Sequence, residues 1–409
     1  MTKPLKGDSK LIAVEKALKF IARKTGLVGT ELISLENAVG RVLAEDIGAD
    51  TDLPPFDRSQ MDGYAVKSAD TKNTPATLRL VGESAAGRGW HKTLNKGEAV
   101  RIMTGAPLPK GADAVQKLEV AKEDGDSVTL IAPTEKGRFI VRKGEEVKKG
   151  IKVLKIGEMI DSRNISVPGA FGYSKLSVSK RPRVAILSTG TELVEINKTP
   201  KQDQIRNSNS VMLKTLCEQV GATATILPNI GDSLSDLKSQ ISNAVKTADI
   251  LITTGGVSVG KYDLTKLALR ELGAEIFFER VALKPGKPTV FAKLGKTLVF
   301  ALPGNPVSAA VTFFLFARTA ILRMQNAKQV NLKVEFALTA RRLKGAPARA
   351  SYLPVQLRSG HDGQTIVEPL KWNGSSDFIA FSKADALVFV PMDEVAEEGE
   401  VVSFLRFPV

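Results

Sequence analysis

Apolar residues near the start of the chain recur at the spacing of an amphipathic helix. Over residues 10–25, the apolar residues at helical spacing are Leu11, Val14, Leu18 and Ile21. A helix with such a stripe packs that face against a core. The pattern therefore predicts a first helix at this place, and a second short helical segment over residues 35–44.

The character of the sequence changes at two consecutive prolines, Pro54 and Pro55, which cannot continue a helix. The stretch that follows is rich in glycine and contains short β-like runs. It predicts a small β domain with strands that include residues 78–82, 99–103 and 128–131. Residues 158–167 look helical again, so we expect the β domain to be inserted into an elongated helical domain.

Beyond Arg181, short apolar runs alternate with glycine-containing loops and helical segments. Three of these runs are residues 184–187, 250–253 and 298–302. Helices are predicted over residues 208–220 and 264–272. Buried runs of this length that alternate with helices are typical of a parallel sheet covered by helices on both faces.

A long predicted helix over residues 307–324 separates the α/β region from a last region of different pattern. Five strand-like segments joined by turns follow it, at residues 330–340, 352–357, 365–369, 386–391 and 401–407. Five short strands of this kind favour a small closed barrel or a sandwich.

Taken together, these patterns predict a multidomain α/β plus β fold. Its parts are a central doubly wound α/β domain, an elongated helical N-terminal domain with an inserted small β domain, and a C-terminal β-barrel-like domain. The expected boundaries are residues 1–52 and 138–178 for the discontinuous N-terminal domain, 53–137 for the inserted domain, 179–327 for the α/β domain and 328–409 for the C-terminal domain.

Composition excludes several classes of protein. Of the 409 residues, 43% are apolar and 25% are charged, which is typical of a globular protein rather than a disordered or fibrous one. No apolar run approaches the roughly 20 residues that a membrane-spanning helix needs. The polar residues 1–10 lack the apolar stretch of a signal peptide, and the single cysteine, Cys217, forms no intrachain disulfide. We therefore expect a cytoplasmic location.

Charge and the rarity of metal-binding residue types restrict the possible ligands further. The net charge of +14 favours anionic partners: nucleic acid, acidic lipid or phosphorylated small molecules. Since the chain has no dense basic tract, we expect neither a nucleic-acid nor a membrane partner. With two histidines and one cysteine, a His/Cys metal site is excluded, so any metal would be a hard cation such as magnesium (Mg2+) held by carboxylates.

Unusual loops follow the predicted strands, at the sheet edge where open parallel sheets bind ligands. In residues 253–263, three glycines let backbone N–H groups approach an anion, although Asp263 at the end of this loop is also placed to be a simple helix N-cap. In residues 302–308, Asn305 as N-cap and Pro306 begin a helix whose free N–H groups, with Ser308, suit an oxyanion. A helix start without any ligand is the alternative for that loop.

Two lysines, Lys284 and Lys287, are held three residues apart in a stiff Pro-Gly-Pro frame, which suits a small dianion better than a solvated turn does. Three acids, Glu192, Asp232 and Asp263, follow three predicted strands and would form a cradle for magnesium shared with phosphate oxygens. An N-cap for the next helix is the alternative for Asp232. Acids in a basic, glycine-lined crevice predict chemistry on a phosphoanhydride.

Six segments of the chain, in order, resemble the molybdopterin molybdenumtransferase family, which includes the E domain of gephyrin. They are Pro55-Phe56-Asp57-Arg58-Ser59-Gln60-Met61-Asp62-Gly63-Tyr64-Ala65-Val66, Ile102-Met103-Thr104-Gly105-Ala106-Pro107, Ser188-Thr189-Gly190-Thr191-Glu192-Leu193, residues 254–263, Lys284-Pro285-Gly286-Lys287-Pro288 and Pro303-Gly304-Asn305-Pro306-Val307-Ser308. The resemblance covers essentially the whole chain.

The resemblance implies an elongated four-domain protomer that forms a homodimer, with the active site shared between protomers. It implies a magnesium-dependent reaction in which adenylylated molybdopterin and molybdate react, AMP is released and molybdenum stays on the dithiolene. That reaction is the final step of molybdenum cofactor biosynthesis. Contact with a molybdopterin adenylyltransferase or with recipient molybdoenzymes is a further expectation.

The resemblance also suggests roles for individual residues. Those that match the molybdate pocket are Lys284, Lys287, Pro288, Ser308, Arg349 and Ser375. Those that match catalytic positions are Asp263, Asp232, Glu192, Asp57 and Thr104, of which the first three would also serve the metal and the last two would come from the partner's β domain. The residues predicted to bind pterin or phosphate are Thr254, Gly255, Gly256, Ser258, Gly304 and Asn305.

Two positions depart from the family pattern: Glu146 stands where an aspartate is frequent, and Arg280 where some members carry lysine. Two other functions remain open. A molybdopterin adenylyltransferase has a similar α/β domain, but it carries a Thr-Gly-Gly-Thr-Gly loop where this chain has Thr254-Gly255-Gly256-Val257-Ser258. A non-catalytic molybdopterin-binding scaffold would keep the pocket and would not need the acids.

Overall fold

The computed structural model describes residues 11–256, 264–360 and 362–408. The predicted site residues Ser258 and Asp263 lie outside the described residues. The helices of the described part are α1 (Val14–Lys24), α2 (Ser166–Ala170), α3 (Ser208–Gln219), α4 (Leu234–Ala244), α5 (Leu264–Glu271), α6 (Pro306–Thr312), α7 (Arg318–Met324) and α8 (Phe378–Phe381). A π-helical turn, Phe313–Ala317, joins α6 to α7.

The first half of the chain is built mostly from short strands. They are β1 (Thr30–Ser34), β2 (Ile47–Gly48), β3 (Arg58–Ser59), β4 (Gly63–Val66), β5 (Ala76–Ser84), β6 (Glu98–Ile102), β7 (Ala114–Lys117), β8 (Ala121–Asp124), β9 (Ser127–Leu130), β10 (Ile140–Val141), β11 (Lys152–Leu154) and β12 (Lys175–Ser179). Two predicted helices are wrong in this half. Residues 35–44 contain only the 3-10 turn Leu35–Asn37, and residues 158–167 contain only the start of α2.

The second half contains the remaining strands. They are β13 (Arg183–Ser188), β14 (Leu193–Val194), β15 (Ile205–Arg206), β16 (Thr223–Ile226), β17 (Ile250–Thr254), β18 (Glu275–Phe278), β19 (Leu283–Lys284), β20 (Val290–Leu294), β21 (Thr297–Leu302), β22 (Val334–Thr339), β23 (Leu343–Lys344), β24 (Ala350–Ser359), β25 (Thr365–Pro369), β26 (Ala386–Val390), β27 (Val395–Ala396) and β28 (Val401–Arg406).

The chain divides into two compact units. The first contains residues 1–45, 157–162 and 175–409, and the second contains residues 46–156 and 163–174. The second unit is organised around a six-stranded sheet of order β7-β4-β6-β5-β9-β8, as expected for a small β domain. The finer domain boundaries given by the sequence remain predictions.

The central sheet of the first unit has the order β16-β13-β17-β21-β20-β18. Its first four strands are parallel, as the apolar runs predict, whereas β20 and β18 are antiparallel to their neighbours. The reason is the two-residue turn Gly295-Lys296 between β20 and β21, since so short a connection joins only antiparallel strands. The sheet is therefore mixed rather than purely parallel.

Helices cover both faces of this sheet, which confirms the doubly wound prediction. On strand β17, Ile250 and Ile252 face one core together with α1, α3, α6 and α7, and Leu251 faces the other core together with α4 and α5. Because both faces are buried, all five residues of β17 are buried. The helix α1 contributes Val14 and Ile21 to the first of these cores.

The helix formed by α6, the π-helical turn and α7 is unusually apolar. Over Pro306–Met324 it is long and apolar enough to cross a bilayer, with a mean hydropathy of 1.5, but 94% of that stretch is buried inside the protein. Its place at the centre of the first core accounts for its composition.

The C-terminal strands form a closed barrel, as predicted. The order β24-β25-β22-β28-β26 is completed by pairing of β26 with β24. The short strand β19 from the α/β region joins the edge of β24, where Lys284 pairs with Ser351. This pairing brings the lysine-bearing turn of the α/β region next to Arg349 of the barrel.

Candidate active site

Three loops of the first unit meet at the carboxyl edge of the central sheet. The N–H group of Thr189, just after β13, donates to the carbonyl of Thr254 at the end of β17, at 3.0 Å. The N–H group of Gly190 donates to the carbonyl of Ile230, also at 3.0 Å. These bonds join the loops after β13, β16 and β17, which the sequence predicts to face one crevice.

The crevice consists of three neighbouring cavities. Cavity A, of about 690 Å³, is lined by Ser188, Thr189, Glu192, Leu193, Pro200, Gln204, Ile205, Arg206, Asn207, Ser208, Asn209, Thr254, Gly255, Gly304, Asn305, Pro306, Ser376 and Phe378. Cavity B, of about 440 Å³, is lined by Thr189, Gly190, Glu192, Asp232, Gly255, Gly256, Pro288, Pro303, Gly304 and Asn305. Cavity C, of about 570 Å³, is lined by Lys284, Pro285, Gly286, Lys287, Pro288, Pro303, Asn305, Ser308, Arg349, Trp372, Gly374 and Ser375. Shared lining residues make the three continuous, with B between A and C.

Cavity C carries three cations, Lys284, Lys287 and Arg349, and no acidic residue lines it. Within the described residues, none of the three forms an ion pair. Like charges held together without a counter-ion favour binding of an anion. All six residues predicted to bind molybdate line this cavity.

The lysine-bearing turn is held against the helix that begins at the same cavity. A Cβ atom on Gly286 would lie 2.5 Å from the methyl group of Thr312 in α6, and Gly286 has a φ of +119°. Only glycine fits so close an approach in this conformation. The positions of Lys284 and Lys287 are therefore set by packing and not by the turn alone.

The start of α6 offers fewer free donors than the sequence suggests. Asn305 and Pro306 begin the helix as predicted, but the side chain of Asn305 does not cap it. Instead, Asn305 Nδ2 donates to Ser375 Oγ at 2.7 Å, and the N–H group of Val307 donates to the carbonyl of Ser375 at 3.1 Å. The barrel segment that carries Ser375 thus uses one of the N–H groups expected to serve an oxyanion.

Cavity B is the acidic part of the crevice, since Glu192 and Asp232 line it. Ser233, and not Asp232, is the N-cap of α4, because its hydroxyl accepts from the N–H group of Asp236. The helix-capping interpretation of Asp232 is therefore wrong. In the described residues, neither carboxylate takes part in a hydrogen bond or an ion pair, so both remain free for a ligand.

Glycines at the end of β17 give the crevice its depth. Gly255 has a φ of +90°, and a Cβ atom there would lie 2.3 Å from the carbonyl oxygen of Thr189. A Cβ atom on Gly256 would lie 2.9 Å from the hydroxyls of Thr189 and Thr265. Both hydroxyls are buried without a hydrogen-bond partner among the described residues. The glycines permit the close approach of the loops after β13 and β17.

The donors around cavity B fit a hard cation in chemical type. Two free carboxylates and the unpartnered hydroxyl of Thr189 are oxygen ligands of the kind that magnesium prefers. In the described part of the chain, no cluster of three or more histidine, cysteine, aspartate or glutamate residues is placed to hold a metal ion. Water and substrate oxygens would have to complete the coordination.

Asp57 and Thr104 belong to the second unit and line none of the three cavities. Asp57 accepts from Arg142 Nη1 at 2.6 Å and from the N–H group of Lys143 at 2.8 Å. Although partial burial opposes ionisation, these bonds hold the pKa of Asp57 below its usual value. Thr104 donates through its N–H and hydroxyl groups to Asp62, which lowers the pKa of that carboxyl.

Several lining residues were not found from the sequence, among them Asn209, Trp372 and Phe378. Asn209 lies in the first turn of α3, where a polar residue is unremarkable in a sequence. Trp372, in the loop after β25, and Phe378, at the start of α8, reach the crevice only because the barrel packs beside the sheet. The sequence offered one signal for such lining residues, a polar residue at the start of a helix directly after a strand. Of the three residues, only Asn209 has it.

Comparison with known proteins decides the family. The molybdopterin molybdenumtransferase of Staphylococcus aureus strain COL is 34% identical over 384 residues, which cover 93% of this chain and 91% of that protein. The molybdopterin molybdenumtransferase of Haemophilus influenzae is 35% identical, covering 92% of this chain and 94% of that protein. The chain belongs to the molybdopterin molybdenumtransferase family.

Family models and a solved structure agree with this membership. The models match residues 12–172 ("MoeA N-terminal region (domain I and II)"), 185–323 ("Probable molybdopterin binding domain") and 337–407 ("MoeA C-terminal region (domain IV)"). The crystal structure of the molybdopterin biosynthesis MoeA protein from Pyrococcus horikoshii OT3 superposes with a TM-score of 0.84 at 30% identity, covering 97% of this chain and 100% of that one. The resemblance stated from six segments is confirmed.

Proposed function

We propose that this chain is a transferase that inserts molybdate into adenylylated molybdopterin and releases AMP, completing the molybdenum cofactor. Family membership supports this reaction, and one observation carries it at the level of the site. Three unpaired cations in cavity C stand beside an acid-lined cavity at the edge of the sheet. The first suits a small oxyanion, and the second suits the phosphoanhydride of a nucleotide.

In this proposal, Lys284, Lys287 and Arg349 hold molybdate, with Ser308 and Ser375 as hydroxyl donors. The cations compensate the two negative charges of the anion, and the hydroxyls orient its oxygens. The dithiolene sulfurs belong to the substrate and replace oxygen of the anion, which takes up the protons of the two thiols and leaves as water. The protein therefore supplies no thiol, which fits the burial of its one cysteine, Cys217.

Glu192 and Asp232, together with Asp263, are proposed to hold magnesium at the anhydride. The bound ion would stabilise the negative charge that develops as AMP leaves. Apart from that, the carboxylates orient the anhydride between cavities A and C, and Gly255 leaves room for its phosphates. Thr254 and Gly304 line the same passage.

We also propose a homodimer in which Asp57 and Thr104 of one chain complete the crevice of the other. Sedimentation velocity measures the number of chains in the assembly, and a monomer that is fully active would contradict the shared site.

A cytoplasmic location is proposed from the single reduced cysteine, and fractionation of cells tests it. Docking of an adenylyltransferase or of a recipient molybdoenzyme stays a proposal of the same kind.

The two alternative functions make different predictions. An adenylyltransferase would consume ATP and add AMP, whereas the proposed enzyme releases it. A scaffold would bind molybdopterin without turnover. Matches to the N-terminal and C-terminal regions of the family, beyond the α/β domain, favour the insertase over the adenylyltransferase.

Release of AMP from adenylylated molybdopterin tests the proposal directly. We expect release that depends on micromolar molybdate and falls on removal of magnesium with EDTA, and we expect molybdenum in the pterin product. Magnesium-independent release would remove the metal from the mechanism and leave the transfer intact. Tight binding of the nucleotide without any release would establish a scaffold instead.

The substitution Lys287→Met tests cavity C. Lys287 is half-buried and has no ion-pair partner among the described residues, so its charge is free to bind the anion. Loss of one charge-assisted contact is expected to raise the KM for molybdate by about 10- to 100-fold. AMP release at several molybdate concentrations measures this. Lys296→Met removes an exposed lysine outside all three cavities and should leave the KM unchanged; an equal effect of both variants would contradict a specific site.

A further inference from the structure

We propose that Asn373 is a modification site, where the side-chain amide is converted to a carboxylate through a cyclic imide formed with Gly374. The modified protein binds an oxyanion in cavity C more weakly. Only this effect on binding rests on the proposed function, and the chemistry at Asn373 does not. Asn373 and Gly374 are the one Asn-Gly pair of the sequence. Glycine hinders the reaction least, because it has no Cβ atom beside the attacking nitrogen.

The pair lies in the loop between β25 and α8, where the chain is open to solvent. Asn373 is exposed, so water reaches its side chain. Gly374 has a φ of +100°, and a Cβ atom built there would meet no atom of the described residues within 4 Å. Glycine is therefore required here by the backbone conformation and not by close packing. On the side of the missing Cβ atom, no described neighbour limits the movement of Gly374.

The nitrogen that attacks is free, although the groups on both sides of it are bonded. The N–H group of Asn373 donates to Asp377 Oδ2 at 2.9 Å. The N–H group of Asp377 donates to the carbonyl of Gly374 at 3.0 Å. Within the described part of the chain, the N–H group of Gly374 donates no hydrogen bond. The two bonds close the turn and leave the nitrogen of Gly374 available for the reaction.

The carboxylate of Asp377 holds this turn together. It is also the N-cap of α8, where its Oδ1 accepts from the N–H group of Ala380 at 3.0 Å. This bond and the one from the N–H group of Asn373 hold the pKa of Asp377 below its usual value, and the side-chain amide of Asn373 contributes in the same direction. The amide therefore lies at the turn that also contains the nitrogen of Gly374.

The reaction proceeds in two balanced steps. The nitrogen of Gly374 forms a bond to Asn373 Cγ, and the side-chain amino group leaves as ammonia with the proton of that nitrogen. Water then opens the imide at one of its two carbonyl carbons. Opening at Cγ gives aspartate, and opening at the backbone carbonyl gives isoaspartate, in which the chain runs through Cβ and Cγ. Either product carries one new carboxylate, and no oxidant or reductant takes part.

The new charge stands in the chain between two residues that line cavity C, Trp372 and Gly374. The lining of that cavity contains three cations and no acid. A carboxylate bonded directly to both neighbours opposes part of this positive field, so a dianion is bound less strongly.

The isoaspartate product also changes the backbone beside cavity C. It adds one carbon atom to the chain before Gly374 and so displaces Ser375. The carbonyl of Ser375 accepts from the N–H group of Val307 at 3.1 Å, and its hydroxyl accepts from Asn305 Nδ2 at 2.7 Å. Displacement of Ser375 disturbs both bonds at the start of α6. We therefore expect a larger loss of oxyanion binding from isoaspartate than from aspartate.

The modification is tested by mass spectrometry on the full-length protein, incubated for days in mildly alkaline buffer and then digested. The peptide that contains Asn373 should gain the mass difference between a hydroxyl and an amino group. It should do so about 10-fold faster than the peptide that contains Asn73, an exposed asparagine followed by the β-branched Thr74. Fragment spectra locate the change and distinguish aspartate from isoaspartate.

The effect on cavity C is tested by calorimetry with molybdate as the ligand, before and after conversion. The Kd should rise by about 3- to 10-fold on conversion, and Asn373→Asp should reproduce the lower end of this range. Asn373→Gln would have to close a larger ring, so it should keep both its mass and its Kd during incubation. Asn73→Asp places the same charge in the second unit and should leave the Kd unchanged.

Conversion at Asn373 no faster than at Asn73 would overturn the modification site. An unchanged Kd after complete conversion would overturn its effect on cavity C. If the untreated protein bound no molybdate, the proposed role of cavity C would fail, and the mass measurement would still decide whether Asn373 is modified. The two failures are therefore distinguishable without a measurement of turnover.

Discussion

Asp232→Asn is expected to reduce the kcat for molybdate-dependent AMP release by roughly 100-fold or more, with little change in nucleotide binding. The carboxylate of Asp232 lines cavity B, has no partner among the described residues and is not the cap of α4. The amide keeps the size of the side chain and removes its charge. If Asp232 holds a cation or orients the anhydride, the variant should therefore lose turnover. Cavity B should keep its shape.

Asp236→Asn is the matched control for this prediction. Asp236 lies on the first turn of the same helix, is exposed and lines none of the cavities, so its charge should not affect release. Turnover and nucleotide binding are measured for both variants at saturating molybdate. Wild-type turnover by Asp232→Asn would exclude Asp232 from the mechanism and leave Glu192 as the described acid of cavity B.

Gly255→Ala is expected to destabilise the domain that contains the central sheet by about 3 kcal/mol or more. The residue has a φ of +90°, which costs an alanine about 1–2 kcal/mol. In addition, the new Cβ atom would lie 2.3 Å from the carbonyl oxygen of Thr189, whose own N–H group is bound to Thr254. The loops must separate to admit it, so cavities A and B should lose their shape. Scanning calorimetry and AMP release measure the two effects.

Gly273→Ala is the control that separates the cost of the backbone conformation from the cost of the Cβ overlap with Thr189. Gly273 follows α5 with a φ of +79°, and a Cβ atom there meets no atom within 4 Å. It should therefore cost only the conformational part, about 1–2 kcal/mol, and should leave AMP release intact. Equal destabilisation by both substitutions would show that the close contact with Thr189 does not limit the position.

The three cavities differ in the chemistry of the side chains that line them, and they follow one another along the crevice. Cavity A is lined by the aromatic ring of Phe378, cavity B by the acids Glu192 and Asp232, and cavity C by three cations. An elongated substrate with a ring at one end and an oxyanion-binding end would meet these groups in turn. Asn305 lines all three cavities. The hydrogen bond that its Nδ2 donates to Ser375 Oγ links the sheet to the barrel at the centre of the crevice.

Much of the fold follows from local pattern. The strand Ile250–Thr254 begins with three apolar residues and carries no charge, because both of its faces are buried, so the sequence alone indicates a helix-covered sheet. The glycine-rich loops after these runs, and the acids within them, identify the crevice for the same reason. The antiparallel strand β20 was missed although its two-residue turn was visible, since apolar runs do not carry strand direction.

The local sequence pattern predicted secondary structure poorly in segments that contribute few residues to a hydrophobic core. Residues 158–167 look helical in the sequence, but only α2 forms there, starting at Ser166. Asp232 shows the same limit at the site. Beside Ser233, either residue is a suitable cap, and only the structure shows that the serine hydroxyl takes the role and leaves the carboxylate free.

The sequence by itself determined the family, the parallel core of the sheet, the barrel and the positions of the lysines and acids, because each depends on neighbours in the chain. Tertiary structure alone decided that Lys284 lies beside Arg349, and that Ser375 binds the start of α6. These relations join residues far apart in the chain, and their geometry depends on how the barrel and the sheet pack together.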